Sequence, residues 1–180
     1  RMFVVDMSRT QFCDTAGLHA LVAAHKKARD DGSDVRLVVT SATVLRTHSC
    51  HGVVRKSVRA RLARLAKLVE VHVLTIDTFG TARRELKGLP MKLNFLTSKQ
   101  RNDREKQRYV LKQEPKYVAA FGNGTIDRLI LKTVRDAGGL AVAVDNGEGC
   151  ALEAILNANV FIHGSEQALD LLLKPNSCKA

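Results

Sequence analysis

Tryptophan is absent from this 180-residue chain, aromatic residues make up only 4% of it, and its three prolines are scattered. So few aromatics leave no stacking platform of the kind that holds single-stranded bases. No apolar run approaches the roughly 20 residues of a membrane helix, and no export signal opens the chain. The four cysteines, Cys13, Cys50, Cys150 and Cys178, lie far apart and form no CxxC pair. They read as reduced thiols of a cytoplasmic protein. Acidic residues are missing altogether between positions 35 and 69, where Arg36, Arg46, Arg55, Lys56, Arg59, Arg61, Arg64 and Lys67 carry much of the net charge of +11. Such a strip can hold phosphates by counterion release. The preferred reading is a solvated helix face, because Val58, Leu62, Leu65 and Leu68-Val69 form an apolar stripe opposite the bases.

What the chain has is alternation. Short apolar runs at 3–6, 35–40, 71–75, 92–96, 117–122, 140–144 and 160–163 suit buried parallel strands. Helical patterns fill the intervals at 16–31, 58–68, 99–113, 125–137, 149–157 and 165–173. This predicts an α/β protein: a three-layer, Rossmann-like parallel sheet with helices on both faces. Ligands of such sheets gather at the carboxyl ends of the strands. Asp6, Thr75 and the run Gly122-Asn123-Gly124-Thr125-Ile126-Asp127 all fall at strand ends. The weakest stretch is 41–57, where Thr47-His48-Ser49-Cys50-His51-Gly52 breaks any periodicity and reads as a loop. His48, Cys50 and His51 are too crowded for a usual zinc spacing. His72 and His163 read as core or edge histidines. His19 and His25, six apart, do not share a helix face.

The residues Val71-His72-Val73-Leu74-Thr75-Ile76-Asp77-Thr78-Phe79-Gly80-Thr81, then Glu105-Lys106, then Phe121-Gly122-Asn123-Gly124-Thr125-Ile126-Asp127, resemble successive motifs of the haloacid dehalogenase (HAD) superfamily. The narrower likeness is to its small soluble members related to the phosphorylation domain of P-type ATPases. Gly147-Glu148-Gly149 and Ala168-Leu169-Asp170-Leu171-Leu172-Leu173 continue the match, which runs from about residue 66 onward. The resemblance implies a magnesium-dependent phosphohydrolase acting on a small phosphorylated substrate. A strand-end aspartate attacks phosphorus, and the aspartyl-phosphate is then hydrolysed. A hydroxyl and a cation neutralise the phosphoryl oxygens. By position Asp6 is the nucleophile, Thr75 the hydroxyl and Lys106 the cation. Asp77 and Gly124 join Thr75 and Lys106 around the phosphate, and Asp6, Asn123 and Asp127 face the Mg2+ ion. Two departures stand out: Asn123 replaces a common acid, and Ile126 a commonly polar residue. The amide keeps an oxygen but no charge.

The front of the chain resembles something else. Val4-Val5-Asp6-Met7-Ser8-Arg9-Thr10-Gln11-Phe12-Cys13-Asp14-Thr15-Ala16-Gly17-Leu18, with the apolar helix that follows and Val35-Arg36-Leu37-Val38-Val39, is similar to the STAS domain of anti-sigma-factor antagonists. That likeness implies phosphorylation at Thr15, altering contact with a partner kinase; Asp14 and Thr15 also suit a helix cap. The chain thus reads as one composite domain, with a STAS-like segment at 3–45, a joining loop at 46–57 and a HAD-like segment at 58–180. The strand at 3–6 is expected to fill the place of the missing first HAD strand. Three functions follow: the phosphohydrolase, a hybrid without evolved activity, or a STAS-type regulatory module. Exposed sheet edges suggest a homodimer.

Overall fold

The computed structural model describes residues 36–40, 54–77, 80–97 and 102–173. Within them six strands form one wholly parallel sheet. These are β1 (Arg36–Thr40), β2 (Glu70–Thr75), β3 (Lys92–Phe95), β4 (Val118–Gly122), β5 (Leu140–Asp145) and β6 (Val160–His163). The helices are α1 (Lys56–Leu65), α2 (Ala82–Glu85), α3 (Asn102–Leu111), α4 (Arg128–Asp136), α5 (Leu152–Leu156) and α6 (Ser165–Leu173). The spatial order β3-β2-β1-β4-β5-β6 reverses between β1 and β4. A crevice for ligand opens at such a switch point, beyond the carboxyl ends of the strands.

Alternation within the central strands divides the core. Leu37, Val39, Val71, Val73, Phe121 and Val142 face α1 and α6, meeting Val58, Leu62, Leu65, Ala168 and Leu169. Val38, Leu74, Ala120 and Ala143 face the other way, against Val110, Ile130, Leu131, Val134 and Ala154 of α3, α4 and α5. Strands buried on both sides explain why the runs carry no polar alternation. The three-layer α/β architecture is the one the sequence predicts.

The place between β2 and β4 belongs to β1, which pairs with both; the 3–6 run, expected to fill the place of the first HAD strand, lies outside the described residues. Physically, the Arg36-Leu37-Val38-Val39-Thr40 run supplies three side chains with no solvent exposure, matching a strand covered on both faces. Helix α2 is an addition, since a four-residue helix leaves no periodicity to read.

The basic stretch is resolved in part. The stripe Val58, Leu62 and Leu65 is buried, whereas Leu68 is 40% exposed, because the helix stops at Leu65. Arg61 grips Asp170 of α6 through two bonds of 2.8 and 3.0 Å. Ser57 donates to Glu166 at 2.7 Å. Arg36 donates to the Gln113 carbonyl at 3.0 Å, and Arg59 donates to the carbonyls of Glu85 and Lys87. Several of the bases therefore fasten β1 and α1 to the rest of the sheet.

Candidate active site

Strand β2 ends in Thr75, 1% exposed. Its Oγ1 accepts the Asp77 amide at 2.8 Å, which leaves the hydroxyl proton for another acceptor. Asp77 sits at φ 46°, a left-handed conformation uncommon outside glycine. Its Oδ1 accepts the amides of Thr81 and Ala82, both at 2.9 Å. The Thr75 turn and the start of α2 are thus one hydrogen-bonded unit.

Two strands away, β4 ends at Gly122, and the chain passes through Asn123 and Gly124 into a 3-10 turn at Thr125–Asp127. There the Asp127 carboxylate folds back. Its Oδ2 accepts the amides of Asn123 and Gly124, both at 3.0 Å. Its Oδ1 lies 2.5 Å from Lys106 Nζ of α3. The side chains of Lys106 and Asp127 are 3% and 1% exposed. A charged pair so deeply withdrawn from water holds only where geometry and further hydrogen bonds compensate desolvation. Gly122 permits the arrangement: a Cβ there would lie 2.6 Å from Asp127 Cβ.

Between these turns lies the carboxyl end of β1. Thr40 pairs in register with Leu74, and Val39 with Phe121. The sequence therefore brings Thr75, Lys106, Asn123, Gly124 and Asp127 to the carboxyl side of the sheet. Asp6 and Thr15 lie outside the described residues. The central strand, where the HAD resemblance asks for a nucleophilic aspartate, ends in Thr40 followed by Ser41.

A magnesium ion requires several hard oxygen ligands. Asn123 Oδ1 is buried without a hydrogen-bond partner, as an oxygen awaiting a cation would be. Asp127, expected as a ligand, already uses one oxygen on Lys106 and the other on two amides. Among the described residues, no three His, Cys, Asp or Glu side chains gather as a metal group. One neutral oxygen is too little for a hard dication, so the described residues alone do not fit the ion.

One neighbouring feature carried no sequence signal. Phe95 of β3 is the register partner of Thr75, and the guanidinium of Arg83 on α2 stacks 4.7 Å from its ring centroid. On the other flank Asp145, ending β5, accepts the amides of Gly147 and Gly149 at 2.9 Å each and binds His163 Nδ1 at 2.8 Å. The Gly147 amide first, then His163, holds its carboxyl below the usual range. Burial pushes the nearby Cys150 thiol up to about 11, so it stays protonated at neutral pH.

Comparison with known proteins separates the same two sources. The STAS domain family model matches residues 1–72. That match extends past residue 45, through α1 and into β2. The fold is that of HAD-family phosphatases. A protein from Vibrio cholerae assigned as a 3-deoxy-D-manno-octulosonate 8-phosphate phosphatase superposes with a TM-score of 0.62 at 15% identity, over 89% of this chain and 92% of that one. The corresponding enzyme from Moraxella catarrhalis, solved with magnesium, phosphate and KDO, gives 0.60 at 16% identity over 84% and 90%. A protein from Legionella pneumophila assigned to the HAD superfamily (subfamily III A) hydrolases gives 0.61 at 16% identity over 86% and 87%.

The chain is accordingly a composite, joining a STAS-matched front to a HAD-like α/β fold. In sequence it belongs to the same family as Uncharacterized protein MJ0073 of Methanocaldococcus jannaschii, 37% identical over 70 residues, which are 38% of this chain and 71% of that protein. Among the described residues no helix is long and apolar enough to cross a membrane.

Proposed function

We propose that the chain is a HAD-like phosphohydrolase of small phosphorylated substrates, with its phosphate site at the carboxyl ends of β2, β1 and β4. The observation that carries the reading is the buried Lys106–Asp127 pair (2.5 Å) facing the same sheet end as Thr75. A buried ammonium still has two N–H donors beyond the one directed at Asp127. Together with the Thr75 hydroxyl, they can neutralise phosphoryl oxygens as charge builds in the transition state. Asp127 positions Lys106 and ties the Asn123-Gly124 turn, rather than touching phosphorus. Asn123 Oδ1, buried and without a hydrogen-bond partner among the described residues, is an oxygen that a cation could use. Asp6 is the carboxylate proposed to attack phosphorus, releasing the alcohol; water then cleaves the aspartyl-phosphate.

A second reading has its own observation. The central strand ends in Thr40 where a nucleophilic carboxylate is needed, so the site could bind phosphate without cleaving it. Phosphate release from an aryl phosphate, with and without magnesium, separates the two. Release by the wild type that is lost in Asp6→Asn and in Lys106→Met supports the enzyme. Saturable orthophosphate binding without release, lost only in Lys106→Met, supports the binder.

A further inference from the structure

We infer that Arg83 and Phe95 form a second recognition element, which takes an anionic group on the organic part of the phosphorylated ligand; this rests on the phosphate site proposed above. Position is the first reason. Phe95 and Thr75 are paired across neighbouring parallel strands, about 4.8 Å apart, and the Leu96 amide donates to the Thr75 carbonyl at 2.8 Å. Arg83 is fixed to the same turn, because the Asp77 amide donates to Thr75 Oγ1 while the Asp77 carboxylate accepts the amides of Thr81 and Ala82 just before it. A ligand phosphate at Thr75 therefore places its remaining atoms beside this pair.

The second reason is chemistry. Arg84 pairs with Glu85, but Arg83 has no carboxylate partner among the described residues and is exposed. Its guanidinium face rests on Phe95, itself 37% exposed. Stacking orients the plane and leaves the N–H edge free, the fork that matches a carboxylate or phosphate through two bonds. Lysine would supply the charge without that fixed plane. A ligand with one phosphate and one further acidic group satisfies Lys106 and Arg83 together, whereas a phosphomonoester of a neutral alcohol satisfies only the first.

The test is titration calorimetry with orthophosphate, methyl phosphate and phosphoglycolate. Wild type is expected to bind phosphoglycolate roughly tenfold more tightly than methyl phosphate. Arg83→Gln removes that preference while leaving orthophosphate binding unchanged, Arg83→Lys restores only part of it, and Lys106→Met weakens all three ligands. Equal affinity for the two monoesters in wild type, or a preference that survives Arg83→Gln, overturns the inference and leaves the phosphate site standing. Failure of every probe to bind folded wild type overturns the phosphate site, and the inference with it. Arg83 is exposed, so a thermal melt suffices to show that its variants fold.

Discussion

Lys106 Nζ and Asp127 Oδ1 meet at 2.5 Å with hardly any solvent on either side chain. Removing one partner strands a buried charge, which costs more than the pair itself contributes. Lys106→Met is therefore expected to lower unfolding free energy by about 3–5 kcal/mol. Asp127→Asn does less, because its amide oxygen can keep the backbone contacts from Asn123 and Gly124. Urea unfolding of both variants and of the double variant checks this. The double variant is expected to be more stable than the sum of the single losses implies.

Gly122 and Gly124 flank Asn123 but face different constraints. A Cβ at 122 would collide with Asp127 Cβ at 2.6 Å, an atom fixed close to the backbone. At 124 the nearest atom would be Asp127 Oδ2 at 3.7 Å, an ordinary contact, and φ is −104°. Gly122→Ala is expected to cost about 1–3 kcal/mol and to abolish orthophosphate binding. Gly124→Ala is expected to stay within about 0.5 kcal/mol. Thermal melts with parallel phosphate titrations compare the two. Similar losses at both positions would mean that the close packing at 122 is not what shapes the turn.

The motifs were legible in the sequence because their spacing survives without knowledge of the sheet. Thr75 and Asp127 could be placed on one side by their strand-end positions, Lys106 was added only through the family resemblance, and Lys106 does meet Asp127 there. Strand order was not legible. The runs at 3–6 and 36–40 are both short and apolar, and periodicity carries no information on which lies at the centre. Register was invisible for the same reason, so Phe95 could not be set beside Thr75. The extent of the STAS match was also underestimated, because the amphipathic pattern of α1 fits either source.

Arg61 and Asp170 join α1, inside the STAS-matched front, to α6 at the far end of the HAD-like part. The two bonds of 2.8 and 3.0 Å are bidentate, with side chains 25% and 17% exposed. Asp170 is also the largest cause raising the Arg61 pKa. A double-mutant cycle with Arg61→Ala and Asp170→Ala is expected to give a coupling of about 1 kcal/mol, falling as salt is added. Zero coupling at low salt would mean that the seam is held by Val58, Leu62, Leu65, Ala168 and Leu169 without electrostatic help.

His72 sets a pH dependence at the opposite end of the sheet. Its ring is 1% exposed, with Nδ1 2.7 Å from the Tyr109 hydroxyl and Nε2 3.2 Å from Glu70 Oε2. Burial pushes the imidazole pKa down, and the Glu70 carboxylate opposes this without prevailing. The folded value lies below the unfolded one, so folding favours the neutral ring. That stability is complete above about pH 6.5 and is lost as pH falls toward the folded value, by at most about 1.4 kcal/mol per pH unit. Glu70 titrates lower: Lys92 chiefly, helped by His72, holds it near 2, so its contribution fades only below about pH 4.5. Unfolding free energies measured from pH 8 to pH 5 are expected to decline more steeply for wild type than for His72→Gln. Parallel slopes would show that His72 accepts its proton in the folded protein without penalty, with Glu70 as an effective counter-ion.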